Sequence, residues 1–166
     1  MRRVNKNYVQ PAVWYATLPT AYLTAQALFT DERDRVLLVK PNYREHWGFP
    51  GGIVEDGEAP HRGVAREVEE ELGLTAEIGD LLVLGWHPPE GERPRSTISF
   101  LFDAGVIADP GRIRLQYEEL DAFEFVPWER APERLAPGVA PRIPAARRAR
   151  ESGGTVYLPD GPPHRA

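Results

Sequence analysis

The chain has 166 residues, a formal net charge of −5 and no cysteine. This length fits one domain with a sizeable core, and the lack of cysteine excludes disulfides, thiolate metal sites, iron–sulfur clusters and a cysteine nucleophile. The acidic balance disfavours a general nucleic-acid binder, which needs a basic face. No apolar run approaches the ~20 residues that cross a bilayer, and the polar start lacks the apolar core of a signal peptide. We therefore expect a cytoplasmic protein without nucleic-acid or membrane partners.

The first third of the chain predicts a leader followed by a hairpin. Residues 1–19 are punctuated by proline and have no clear period, so they are expected to form an extended leader. Strands are predicted at residues 21–29 and 36–39, where β-branched and aliphatic residues flank a polar turn. The loop at residues 41–52 ends in Phe-Pro-Gly-Gly, which is expected to break regular structure.

The strongest helix prediction covers residues 59–72. Val64, Val68 and Leu72 recur at helical spacing, and Gly73 stands where a C-cap belongs. Later elements are predicted as strands at residues 81–86, 97–106, 123–126 and 155–158, a helical turn at 128–135 and a helix at 141–152. This order predicts an α+β or a layered α/β/α domain with a mixed sheet over residues 20–158, and a loose tail at 159–166.

The predicted C-terminal helix carries a basic stretch, made of Arg142, Arg147, Arg148 and Arg150. We interpret it as a solvated helix face, because charges on a surface helix usually point to water. The alternative interpretation is a contact with an anion or with RNA.

Three glutamates on the predicted helix, Glu67, Glu70 and Glu71, are spaced i, i+3, i+4. Such like charges repel by about 0.2–0.5 kcal/mol per pair on an exposed helix, and a divalent cation would turn this repulsion into attraction. Mg²⁺ prefers oxygen ligands and retains several waters, so carboxylates on one helix face together with substrate phosphates suit it. The alternative is an ordinary solvated face.

Residues 52–74 decide between these interpretations because they resemble the signature of the Nudix hydrolase family. That signature is Gly, five residues, Glu, seven residues, Arg-Glu, an aliphatic residue, any residue, Glu-Glu, any residue, Gly and an aliphatic residue. Every spacing is present here, in Gly52, Glu58, Arg66, Glu67, Val68, Glu70, Glu71, Gly73 and Leu74. The resemblance implies a Nudix-type sandwich that hydrolyses a diphosphate linkage with Mg²⁺ or Mn²⁺.

The resemblance also implies roles for individual residues. The expected metal ligands are oxygen donors of the signature and of the residue before it: Glu67, Glu70, Glu71 and the carbonyl of Gly51. Glu58 and Arg66 look like a supporting ion pair that would hold the loop against the helix and so preorganise the site.

The family often adds an acidic residue from a later loop, as a ligand or general base. Its place here is at Glu118 and Glu119, of which Glu119 is favoured. Glu90 and Glu92, in another loop, are the rivals.

Substrate contacts are expected from aromatic, basic and glycine positions near the signature: Trp47, Arg44, Arg95 and Gly52. For each aromatic residue, core packing is the competing role. The expected substrate is a small nucleotide-like diphosphate: an ADP-ribose-like molecule, a nucleotide sugar or a (d)NTP.

Two other functions are compatible with the same fold. A Nudix-fold isomerase is disfavoured, because it employs a catalytic cysteine. A nucleotide-sensing module without catalysis usually loses carboxylates of the signature, whereas all three are present here. A homodimer is compatible with the sequence.

Overall fold

A mixed seven-stranded sheet forms the centre of the computed structural model, which describes residues 9–159. The strands are β1 Tyr22–Asp31, β2 Arg35–Pro41, β3 Gly51–Ile53, β4 Leu81–His87, β5 Thr97–Ile107, β6 Leu120–Pro127 and β7 Val156–Pro159, and the helices are α1 Pro11–Tyr15, α2 Pro60–Leu72 and α3 Arg142–Ser152. The strand order is β6-β2-β1-β5-β4-β7, with β3 paired to β1. The pairs β1–β5 and β4–β7 are parallel and the others antiparallel.

Helices α2 and α3 cover opposite faces of this sheet. Alternation along β1 directs Ala27 toward the core beneath α2 and Leu28 toward the core beneath α3. The apolar stripe of α2, including Val64 and Val68, is fully buried on the first face, and Ile143 of α3 is buried on the second. The predicted α+β fold, an α/β/α sandwich with a mixed sheet, is confirmed.

Helix α2 has nearly the bounds predicted from its period. It begins at Pro60, whose fixed φ suits the first helical position, and it ends before Gly73, which takes the left-handed conformation with φ 63°. The register of its carboxylates relative to the sheet follows directly, because Val64, Val68 and Leu72 can be buried in only one rotation of the helix.

Two local predictions are wrong. The predicted loop at 41–52 ends in strand β3, in which Gly51, Gly52 and Ile53 pair antiparallel with β1. Two of these three residues are glycine, so β3 lacks an apolar alternation and depends on the backbone of β1. In the predicted extended leader, residues 11–15 form the short helix α1; residues 1–8 and most of the tail, 160–166, lie outside the described part.

Across residues 9–159, no helix is long and apolar enough to cross a membrane. The domain limits at 20 and 158, the cytoplasmic location and the homodimer stay predictions.

Candidate active site

Arg66 lies at the centre of a carboxylate network on α2. Its Nη1 donates to Glu67 Oε1 and to Glu70 Oε2, both at 3.1 Å. Its Nε and Nη2 donate to the two carboxylate oxygens of Glu58 at 3.2 Å, and Nη2 also reaches the carbonyl of Ile53. These hydrogen bonds hold the pKa of Glu58 below its usual value. The guanidinium thus ties the loop before α2, the end of β3 and the acidic face of α2 together, as the resemblance implied for Glu58 and Arg66.

Glu71 is the most buried carboxylate of this network, with 7% of its surface exposed. Its Oε2 accepts a hydrogen bond from the backbone N–H of Gly51 at 2.7 Å. Burial raises the pKa of Glu71 to about 7, the Gly51 hydrogen bond opposes that rise, and the charges of Glu67, Glu119 and Glu70 add to it. The site therefore concentrates negative charge in a poorly solvated position.

Glu67 lies beside Glu71 and shares its environment. Burial raises the pKa of Glu67, Arg66 opposes the rise, and the charges of Glu70 and Glu119 contribute to it. A carboxylate whose pKa is raised by burial and by like charges is costly to ionise. Any cation that binds between the carboxylates stabilises their charged form.

The two glycines of β3 allow close approaches that a side chain would prevent. A Cβ on Gly52 would lie 2.7 Å from Oε1 of Glu67, so glycine lets this carboxylate lie directly against the backbone of β3. Gly51 has φ 126°, and a Cβ there would run into the backbone of Ala25 and lie 2.8 Å from Cα of Gln26. Only glycine fits the second position, because close approach and positive φ coincide there.

Glu119 comes from a distant part of the chain, in the loop before β6. Its carbonyl accepts a hydrogen bond from the N–H of Asn42, and nearby Gln116 donates its N–H to the carbonyl of Glu71. The Glu119 charge acts on both Glu67 and Glu71. The fold thus brings the favoured acidic candidate to the carboxylates of α2. Among its rivals, Glu90 is 86% exposed and lies 3.8 Å from Arg93.

The chemistry of these donors fits a hard divalent cation. Between residues 9 and 159, no three His, Asp or Glu side chains are already arranged to bind a metal ion. The carboxylates instead accept hydrogen bonds from Arg66 and from the N–H of Gly51. Carboxylate oxygens are the donors that Mg²⁺ and Mn²⁺ prefer. The ligand roles of Glu67, Glu70, Glu71 and the Gly51 carbonyl stay predictions.

A cleft of about 1050 Å³ adjoins this site on the α3 side of the sheet. Its lining includes Tyr22, Gln26, Arg44, Ile53, Arg93 and Arg142. Ile53 connects the cleft to the carboxylates, because its carbonyl accepts from Arg66. A second cleft, of about 730 Å³, lies at the far end of α2 around Leu74 and Arg112, away from the carboxylates.

The structure places some of the expected substrate-binding residues at this cleft and one of them in the core. Arg44 lines the cleft beside the site, and the exposed Arg95 lies 5.9 Å over the ring of Tyr22 at the same cleft. Trp47 instead packs against the core beneath α3, with Arg134 5.7 Å over its ring. That position gives Trp47 a packing role, and its contact with substrate stays a prediction without support from the geometry.

Arg142 was misassigned by the sequence interpretation. Only 8% of it is exposed, so the solvated-face prediction is wrong at this position, whereas Arg148 is exposed as expected. Arg142 lies one helical turn before Ala145 and Ala146, which are fully buried. The spacing of these alanines marks the buried side of α3 and would have identified Arg142 as an inward-facing arginine.

Comparison with known proteins places this geometry in a family. The family model of the NUDIX domain matches residues 22–146. A MutT-like protein of Streptomyces ambofaciens is 37% identical over 67 residues, which are 40% of this chain and 44% of the relative. An 8-oxo-dGTP diphosphatase of Proteus vulgaris is 33% identical over 54 residues, 30% of this chain and 48% of the relative. The matched segments thus span less than half of each of these relatives.

A solved structure extends the likeness to the whole fold. The MutT protein from Methanosarcina mazei Go1 aligns with a TM-score of 0.67 and 27% identity, over 80% of this chain and 97% of that one. The family model covers most of the chain and includes every carboxylate of the Arg66 network as well as Glu119. The chain described here therefore belongs to the Nudix family.

Proposed function

We propose that this chain is a Mg²⁺- or Mn²⁺-dependent hydrolase that cleaves a diphosphate bond in a nucleoside diphosphate linked to another group. Candidate substrates are an ADP-ribose-like molecule, a nucleotide sugar and a (d)NTP. The observation that carries the proposal is the pair of partly and fully buried carboxylates, Glu67 and Glu71, whose pKa values are raised by burial and by the charges of Glu70 and Glu119. A buried cluster of like charges is costly unless a cation offsets it.

The residues that would hold the metal are Glu67, Glu70, Glu71 and the carbonyl of Gly51. When bound there, the ion supplies Lewis-acid polarisation of a phosphoryl oxygen and lowers the pKa of a coordinated water. The substrate diphosphate would approach from the adjoining cleft, which Ile53 connects to the carboxylates.

The remaining residues position groups or move a proton. Arg66, held by Glu58, keeps the carboxylates of α2 oriented relative to β3. Glu119, whose charge acts on Glu67 and Glu71, would accept a proton from an attacking water as general base. Arg44 and Arg95, at the adjoining cleft, would contact substrate phosphates.

The test is a phosphate-release screen with Mg²⁺ and with Mn²⁺, in which product masses identify the bond that is cut. The panel contains NTPs, dNTPs, ADP-ribose, nucleotide sugars and dinucleoside polyphosphates. Activity should vanish in excess EDTA and return with either cation. Turnover that is undiminished in EDTA would refute the metal dependence. Nucleotide binding without turnover of any compound would favour the nucleotide-sensing module instead.

A further inference from the structure

Arg142 places a buried positive charge at the floor of the cleft that adjoins the carboxylates. Its Nη1 donates to Gln26 Oε1 at 3.0 Å, and its Nη2 donates to Ser99 Oγ at 2.8 Å and to His87 Nε2 at 3.0 Å. An arginine can only donate, so the contact with His87 requires Nε2 of that ring to accept. None of the side-chain partners that these hydrogen bonds join to Arg142 carries a negative charge.

No carboxylate forms an ion pair with Arg142 among residues 9–159. This contrasts with Arg147 and Arg150 of the same helix, which pair with Glu129 and Asp103. Burial lowers the pKa of Arg142 to about 10, which leaves the guanidinium charged at neutral pH. A buried charge without a counter-charge is costly, and the hydrogen bonds of Arg142 to Gln26, His87 and Ser99 supply no negative charge to offset it.

The rest of the cleft adds to the positive charge. Arg44 and Arg93 line it together with Arg142, while Glu90 is the acidic residue of the lining. Nε of Arg93 is buried without a hydrogen-bond partner in the described part of the chain, although Nη2 of the same residue donates to the carbonyl of Pro88. A second arginine of the cleft thus holds an unused donor away from water, which a ligand could satisfy.

We propose that this cleft binds an anionic group, a carboxylate or a phosphate, carried by the part of the substrate that lies beyond the diphosphate, and that Arg142 selects for this charge. The inference rests on the proposed function for the position of the diphosphate at Glu67. Ile53, which lines the cleft and whose carbonyl accepts from Arg66, keeps the two subsites adjacent. A guanidinium held by three neighbours is preorganised, so little conformational entropy is lost when an anion binds.

The opposite explanation is that Arg142 serves the fold alone, by cross-linking α3 to β1, β4 and β5. The two explanations differ in their consequences for stability. A charge kept for binding weakens the free protein, so Arg142→Met should leave the melting temperature unchanged or raise it, as apolar replacement of buried charges often does. A structural cross-link predicts a lower melting temperature for the same variant.

The experiment compares matched ligands that differ by one anionic group. UDP-glucuronate against UDP-glucose tests a carboxylate, and 2′-phospho-ADP-ribose against ADP-ribose tests a phosphate. Dissociation constants are measured by calorimetry in EDTA with the parent, Arg142→Met and Arg148→Met, and kcat/KM is measured with Mg²⁺. Arg148 is the matched control, because it lies exposed on the same helix.

The parent should prefer the anionic member of at least one pair by about tenfold to a hundredfold, the range expected for a hydrogen-bonded ion pair. Arg142→Met should abolish this preference without a loss of thermal stability, and Arg148→Met should retain it. Binding preference without hydrolysis would sustain the inference while the proposed catalysis fails. The inference is overturned if the parent shows no preference in either pair, or if Arg142→Met retains the preference or only lowers the melting temperature.

Discussion

Replacing Glu71 with glutamine should stabilise the metal-free protein, and the gain should depend on pH. Glu71 is 7% exposed, and burial together with neighbouring carboxylates raises its pKa from 4.5 to about 7. A carboxyl whose pKa is raised on folding binds its proton more tightly in the native state. Its stabilising contribution is therefore fully present below pH 4.5 and is lost as the pH rises through about 7.

The magnitude follows from the shift of this one group. A pKa that rises from 4.5 to about 7 corresponds to about 3 kcal/mol of unfolding free energy, at roughly 1.4 kcal/mol for each pKa unit. For a chain of this length, each kcal/mol moves the melting temperature by about 2–4 °C. Glutamine cannot ionise and can still accept the hydrogen bond from the Gly51 N–H. At pH 8 the variant should melt above the parent by up to about 6–12 °C, and at pH 5 by only about a quarter of that difference.

The assay is thermal unfolding in EDTA from pH 5 to pH 8.5, followed by circular dichroism. Glu69→Gln is the matched control, since Glu69 is an exposed glutamate of the same helix; its melting temperature should follow the parent at every pH. Added Mg²⁺ should raise the melting temperature of the parent more than that of Glu71→Gln, because the cation binds only the native site. A pH-independent difference between variant and parent, or none at pH 8, would refute the burial argument.

Three further substitutions test the site. Arg66→Ala removes the hydrogen bonds that join β3 to the carboxylates, so kcat should fall at least tenfold in a protein that still folds by circular dichroism; an unchanged kcat contradicts the positioning role. Gly52→Ala places a Cβ 2.7 Å from the Glu67 carboxylate and so displaces it; activity and the Mg²⁺-induced rise in melting temperature should both decrease, and a fully active variant would show that the position of this carboxylate is not critical. Glu119→Gln should lower kcat by about 10²–10⁴-fold and remove the acidic limb of the pH–rate profile, whereas Glu118→Gln should not; equal effects in both variants would leave Glu119 without a special role.

The local elements and the identity of the acidic helix follow from the sequence alone. The period of Val64, Val68 and Leu72 and the C-cap at Gly73 determine the extent of α2 and the side on which its carboxylates lie, because both are local properties of one helix. The spacing of the Nudix signature predicts the Arg66–Glu58 contact for the same reason: it joins a helix to the loop directly before it. The repulsion among the glutamates of this helix also predicts a site for a divalent cation such as Mg²⁺.

Properties that depend on contacts between distant segments required the tertiary structure. The sequence estimate for the repulsion among the glutamates, a few tenths of a kcal/mol, treats them as exposed. Packing against the sheet buries Glu71, and this burial, more than the charges of its neighbours, raises its pKa to about 7. Strand β3 forms through the antiparallel pairing of Gly51 and Gly52 with the backbone of β1. The sequence predicts a solvated charge at Arg142, whereas the structure buries it. Its hydrogen-bond partners Gln26, His87 and Ser99 come from three strands of the sheet. A local pattern can mark the buried side of a helix, but the electrostatic environment of a buried residue is set by which segments meet across the fold, and that meeting is not encoded locally.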